Sequence, residues 1–268
     1  MKAREKAIAV FDSGVGGLTV YKAVRRELPA ERLIYFGDTA RLPYGSKSRE
    51  AVTRFSLEIA RFLLRRDIKM LIVACNSASA LALPALESEL DIPVLGVIGP
   101  AVRAAAAATR SGMVGVIGTE ATIQSRAYEE ALGSANRALR TAVKACPLLV
   151  PLVEEGWWSH PVTRRVAREY LRPLRGTDMD TLILGCTHYP LIKPVIRAAV
   201  GRGVQLIDSA EEMAREARAC LKAAGLERPS RRGSQEFFVS DAPERFRRLA
   251  RRFLGSGVDR VALAAVEA

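Results

Sequence analysis

Two cysteines stand where chemistry could begin. Cys75 closes the run KMLIVAC (69–75) and Cys186 closes TLILGC (181–186), and each is followed by polar residues, Asn76-Ser77 and Thr187-His188. A thiol that ends a strand-like run and precedes a helix sits at the carboxyl edge of a parallel sheet, where α/β folds bind ligands. The dipole and free N–H groups of the next helix favour an anion, either a thiolate or a substrate carboxylate. This placement predicts a lowered thiol pKa and a usable base. Taken singly, either cysteine could be a small buried hydrophobe, which is how Cys146 and Cys220 are read. Their equivalence changes the reading. MLIVACNSASALALPAL (70–86) lines up with TLILGCTHYPLIKPVI (181–196), cysteine on cysteine, and AVFDSG (9–14) lies on GVIGTE (115–120).

A repeat longer than about 100 residues points to a duplicated α/β domain rather than a solenoid. Facing lobes would present the two sulfurs to one cleft from opposite sides. Such a pair could remove a proton from one face of a carbon and deliver one to the other, as inversion of an amino acid requires. The two enantiomers are equal in energy, so matched acid/base groups suit both directions. Backbone amides at Asn76, Ser77, Thr187 and His188 could hold a carboxylate and the charge that develops on it.

The elements needed to position these groups are legible. AIAVF (7–11), RLIYFGD (32–38), KMLIVAC (69–75) and IPVLGVI (92–98) read as strands. They alternate with a glycine-rich turn and helix to about Leu28, and with a helix over 49–66 spaced by Val52, Phe55, Ile59, Phe62 and Leu63. The pattern restarts with an alanine-rich helix (101–109). MVGVIGT (113–119), RTAVKAC (140–146), TLILGC and VQLID (204–208) follow as strands, with a helix at 162–174. The C-terminal part supplies a helix, the strand EFFVSD and the helix PERFRRLARRFLG. Strands alternating with helices imply parallel sheets. The expected fold is therefore α/β, with two similar pseudo-symmetric lobes, mainly parallel sheets, and an active site in the cleft between them. Residues 1–98 with 208–268 should form the lobe carrying Asp12 and Cys75. Residues 99–207 should form the lobe carrying Glu154, Cys186 and His188.

Composition bounds the function. The 268 residues carry a formal net charge of +12 and are 49% hydrophobic. No run of about 18 uncharged apolar residues is present, so no spanning helix is expected. The N-terminus lacks the apolar segment of a signal peptide, and four scattered cysteines without a CxxC pair argue against a disulfide framework. Arginine outnumbers lysine 33 to 8, most densely between Arg231 and Arg252, where acidic residues are interleaved. With no nucleic-acid module recognisable, this reads as a solvated basic surface whose field would help collect a dianionic substrate.

Five motifs in order carry a family resemblance: FDSGVGG (11–17), GDTARLPYG (37–45), ACNSAS (74–79), PLVEEG (151–156) and GCTHYP (185–190). FDSGVGG alone could pass for a nucleotide loop, but it lacks the GxGxxG spacing and the Walker lysine. Together the five resemble the bacterial glutamate racemases of the aspartate/glutamate racemase family, over nearly the whole chain. The resemblance implies a cytoplasmic isomerase that needs no cofactor, neither metal nor pyridoxal, and supplies D-glutamate for peptidoglycan, hence for the cell wall and cell shape. It implies Cys75 as base toward D-glutamate and Cys186 toward L-glutamate, with Asp12 assisting Cys75, His188 assisting Cys186, and Glu154 as a further carboxylate. Substrate contacts would come from Asp12, Ser13, Tyr44, Gly45, Asn76, Ser77, Thr187 and His188. Ser77 stands where the family more often has threonine, which keeps the hydroxyl. The implied partner is the small-molecule substrate, L- or D-glutamate. No membrane and no specific nucleic acid is expected; a homodimer is allowed, although the residues fix no oligomeric state.

Other readings compete. Aspartate racemases and maleate isomerases look similar around paired cysteines, and there one thiol could attack the substrate covalently. A metal-binding protein could use Cys75, Cys186 and His188, although C-x-H is not a recurring zinc spacing and a closed site wants four ligands. Asp12 and Ser13 could cap the next helix. Glu154 and Glu155 could open a helical segment for dipole reasons. Asp38 reads as structural, His160 as a surface residue, and Trp157 and Trp158 as packing or cleft-wall residues.

Overall fold

Every residue of Ala7–Asp12 (β1), Leu33–Gly37 (β2) and Ile68–Val73 (β3) is buried, as parallel strands covered on both faces must be. The computed structural model describes residues 2–229, 233–255 and 258–266, so Arg231 and Arg232 of the expected basic stretch lie outside the described residues. The remaining strands are Val94–Gly96 (β4), Met113–Gly118 (β5), Arg140–Ala145 (β6), Thr181–Gly185 (β7), Gln205–Asp208 (β8), Gln235–Val239 (β9) and Ala262–Leu263 (β10). They form two sheets, β10-β9-β2-β1-β3-β4 and β6-β5-β7-β8, and every pairing is parallel.

The helices are α1 (Leu18–Glu27), α2 (Arg49–Leu64), α3 (Asn76–Leu81), α4 (Leu83–Glu89), α5 (Ile98–Ala108) and α6 (Glu120–Gln124). They continue with α7 (Ala127–Ala135), α8 (Leu149–Glu154), α9 (Pro161–Leu171), α10 (Lys193–Val200), α11 (Ser209–Ala223) and α12 (Pro243–Leu254). The order β2-β1-β3-β4 in one sheet repeats as β6-β5-β7-β8 in the other. Cys75 after β3 and Cys186 after β7 are thus topological equivalents. The two extra strands of the larger sheet, β9 and β10, come from the C-terminal segment.

Two expectations change. The run 92–98 is a strand only to Gly96, and α5 begins at Ile98. The Ser79 hydroxyl turns the chain there, accepting from the Val97 N–H at 3.3 Å while donating to the Val73 carbonyl at 2.8 Å. Cys186 does not lead directly into an α-helix. A turn and a 3-10 segment, Tyr189–Ile192, intervene before α10. Pro194 has no N–H to give the Pro190 carbonyl, so a helix cannot run unbroken from Thr187.

One charged pair is built into the interior. Lys69 of β3 and Glu31 meet at 2.6 Å with both side chains 2% exposed. Lys69 Nζ also donates to the carbonyls of Arg4 (2.9 Å) and Leu226 (2.7 Å). The ammonium thereby ties the N-terminal segment and the turn after α11 to the amino edge of the sheet, opposite the edge that carries the cysteines. No helix among the described residues is long and apolar enough to cross a membrane.

Candidate active site

The carboxyl ends of six strands from both sheets converge on one cavity of about 330 Å³. Ser13 and Gly14 follow β1, Leu42 to Ser46 follow β2, and Cys75 to Ser77 follow β3. From the second sheet come Thr119 and Glu120 after β5, Pro147, Val150, Pro151 and Glu154 after β6, and Cys186 to His188 after β7. The cavity brings together Ser13, Tyr44, Gly45, Cys75, Asn76, Ser77, Glu154, Cys186, Thr187 and His188 of the residues singled out in the sequence. Asp12 lies behind this wall, 1% exposed.

Cys75 caps α3 and is 6% exposed. Its thiol donates to Ser13 Oγ at 3.5 Å. Burial and the Asp12 carboxylate push it up to about 12, against the smaller opposing pulls of the Ser13 hydroxyl and the Ala78 N–H. The expected lowering is therefore reversed at Cys75. The six-residue α3 offers too little field to offset desolvation. Asp12 does not cap α1, whose N-cap is Gly17. One of its oxygens accepts the Gly14 N–H at 2.9 Å, and the other has no partner among the described residues. Burial raises the Asp12 carboxyl, partly opposed by the charge of His188 and the N–H groups of Gly17 and Gly14.

Cys186 has a different surrounding. His188 Nδ1 lies 3.8 Å from its sulfur, and His188 Nε2 donates to Glu154 Oε1 at 3.1 Å. Burial works against a charged His188. The hydrogen bonds and charges of Cys186 and Glu154 outweigh it and push the imidazole up to about 10. Burial also disfavours an ionised Glu154, but the hydrogen bond and charge of His188, with the charge of Arg245, hold it below the usual carboxylate range. Glu154 is the last residue of α8 and Glu155 its C-cap. A helix C-terminus disfavours acidic side chains, so the dipole explanation for this pair of glutamates fails, and His188 is the partner that accounts for Glu154.

The cavity wall carries an unused donor. Tyr128 donates to Asn76 Oδ1 at 2.7 Å, which orients the amide and leaves Asn76 Nδ2 buried without a partner among the described residues. A buried orphan donor is costly unless a ligand completes it, and a carboxylate oxygen fits. Beside it, the hydroxyls of Ser77, Thr119 and Thr122 form a triangle with edges of 2.9, 3.0 and 3.3 Å. Thr119 was not singled out from the sequence, although laying AVFDSG on GVIGTE puts it opposite Ser13. Tyr128 had no such signal.

Asp38, fully buried, organises the β2 loop. It accepts from Arg41 Nε (2.7 Å), Ser240 Oγ (2.7 Å) and the Tyr44 hydroxyl, while Arg41 also pairs with Glu58. Its structural reading stands, with the added point that the loop it holds delivers Tyr44 and Gly45 to the cavity. Trp157 and Trp158 do not line the cavity. Trp157 is 43% exposed and stacks on His160, whose Nδ1 accepts from the Val162 N–H at the start of α9. Cys146 is buried and Cys220 half-buried, and neither lines the cavity. Among the described residues no group of three or more His, Cys, Asp or Glu is arranged to hold a metal ion.

The sequence profile of the Asp/Glu/Hydantoin racemase family matches residues 8–217. A glutamate racemase of Geobacter metallireducens is 56% identical over 264 residues, covering 98% of each chain. The crystal structure of a glutamate racemase isoform from Bacillus anthracis superposes with a TM-score of 0.96 at 41% identity, covering 98% of each chain. The glutamate racemase of Francisella tularensis, solved with D-glutamate, gives 0.93 at 36% identity over 98% of this chain and 99% of that one. With the profile spanning most of the sequence and relatives matched end to end, the chain belongs to the Asp/Glu/Hydantoin racemase family and groups there with the glutamate racemases.

Proposed function

We propose that this chain interconverts L- and D-glutamate by moving protons between two thiols, without a cofactor. The observation that carries the reading is the placement of Cys75 and Cys186, from equivalent strand ends of two sheets, on one cavity. In the L-to-D direction the Cys186 thiolate takes the α-proton and becomes a thiol. The Cys75 thiol gives its proton to the opposite face of the carbon and becomes a thiolate. In the reverse direction the roles exchange, so the pair of sulfurs holds one proton before and after each turnover, and two while the carbon is deprotonated. His188, supported by Glu154, is the counter-charge for the Cys186 thiolate, and Asp12 stands behind Cys75.

The α-proton beside an ionised carboxylate is weakly acidic, so charge developing on that carboxylate must be stabilised. Asn76 Nδ2 and the first-turn N–H groups of α3, which have no helical acceptor, supply donors on one side. Thr187 and the backbone around His188 supply them on the other. The hydroxyls of Ser13, Ser77 and Thr119 and the Tyr44-Gly45 loop suit the second carboxylate and the ammonium. We read residues 1–98 with 208–268 as one lobe and 99–207 as the other. We place the activity in the cytoplasm, feeding D-glutamate to peptidoglycan synthesis.

Incubating either enantiomer with the purified enzyme in deuterated water, with nothing added, tests this. The reading expects deuterium at Cα together with loss of optical activity. Optical activity lost without deuterium uptake, or no reaction from either enantiomer, would defeat it.

A further inference from the structure

The family profile ends at residue 217, yet α12, beyond that limit, touches the Glu154–His188 pair at three points. Arg245 Nη2 lies 3.9 Å from Glu154 Oε2, the oxygen that His188 does not use. Arg252 Nη1 donates to the Glu154 backbone carbonyl at 3.4 Å. The Phe253 ring stands perpendicular to the His188 imidazole at 5.8 Å between centroids. Positions i, i+7 and i+8 share one face of a helix, so one stripe of α12 makes all three contacts. The same helix is anchored in the other lobe, where Phe246 packs on Tyr35 at 5.7 Å and Tyr35 in turn donates to the Gly14 carbonyl. Gly156, two residues after Glu154, has φ +80°, where glycine is favoured, and the Arg252 guanidinium lies against it, 2.8 Å from where a Cβ would stand.

We infer that α12 is a cross-lobe clamp for the acid/base relay, with Arg245 as a positioning residue that fixes the free oxygen of Glu154 so that the other oxygen stays on His188. The inference rests on the reading of Glu154, His188 and Cys186 as one side of the two-base site. Groups facing His188 are Asp12 from the end of β1, Glu154 from α8 and Cys186 beside it in sequence. Arg245 and Arg252 of α12 reach Glu154 rather than the imidazole.

The chain has two histidines, so the imidazole of His188 can be followed by NMR across a pH titration, with exposed His160 as the reference signal. Losing a nearby cation would by itself raise the His188 midpoint. Losing the clamp lowers it, because a loosened Glu154 supports the imidazolium less. We expect the midpoint to fall in Arg245→Gln, to return toward wild type in Arg245→Lys, and no longer to fall on Arg245→Gln once Glu154→Gln is present. kcat/KM should fall about two- to fivefold in Arg245→Gln, the scale of a half-exposed ion pair, and equally for both enantiomers. Thermal stability should barely change, since the Arg245 side chain is 60% exposed. A midpoint that rises or stays put in Arg245→Gln overturns the clamp. If Glu154→Gln itself leaves His188 unmoved, the relay reading fails instead, and the clamp fails with it. The racemisation rate of Cys186→Ser tests the two-base reading separately.

Discussion

Tyr128→Phe isolates one hydrogen bond whose loss should be felt by the substrate. The hydroxyl donates to Asn76 Oδ1 at 2.7 Å and the residue is 2% exposed. The ring itself packs tightly, since a Cβ on Gly185 would stand 3.1 Å from it, so phenylalanine keeps the shape. Removing the hydroxyl frees the Asn76 amide to turn and present its oxygen, rather than Nδ2, to the cavity. A buried neutral hydrogen bond is worth about 0.5–1.5 kcal/mol. If all of it goes into orienting the amide, carboxylate binding weakens about two- to twelvefold at about 1.4 kcal/mol per factor of ten. KM should rise by that factor for both enantiomers, with kcat changed less. Because the enantiomers are equal in energy, kcat/KM must fall by the same factor in each direction. Circular dichroism of the reaction started from each enantiomer measures all four constants. An unchanged KM, or a loss confined to kcat, would show that Asn76 Nδ2 is not a substrate donor.

Other outcomes follow from the same geometry. Lys69→Met leaves Glu31 buried without the Lys69 cation, with its other oxygen still accepting the Arg228 N–H, and should cost about 3–5 kcal/mol, read as a fall of roughly 6–20 °C in melting temperature; adding Glu31→Gln should recover part of it. The His188 midpoint is raised, so its contribution to stability is complete below the ordinary imidazole value of 6.5 and disappears as pH climbs through about 10. Denaturation midpoints of wild type and His188→Asn should therefore converge at high pH. A Cβ on Gly16 would overlap Thr187 Oγ1 and the His188 ring, so Gly16→Ala should lower kcat/KM about ten- to a hundredfold by displacing the relay, in a protein that still folds.

What the sequence disclosed was local. Cys75 and Cys186 each end an apolar run, and their motifs repeat in order, so strand ends and the shared cleft could be inferred. Thr119 was within reach through the same repeat. Tyr128, Arg245 and the Glu31–Lys69 pair were not, because each acts on a residue 38 or more positions away and no periodicity marks such a partner. The raised thiol of Cys75 is not legible in the sequence for a related reason. A helix start is visible in sequence, but the depth of burial that outweighs its field is a tertiary property. At Cys186, the prolines at 190 and 194 were legible breakers of the expected helix, and the apolar pattern masked them.

The most direct test of the central claim is the racemisation rate of Cys75→Ser and of Cys186→Ser, each assayed from both enantiomers. Removing either acid/base group should reduce the rate about 10²- to 10⁴-fold in both directions, with folding unchanged. A near-wild-type rate in either variant would mean that the two sulfurs do not share the work at one carbon.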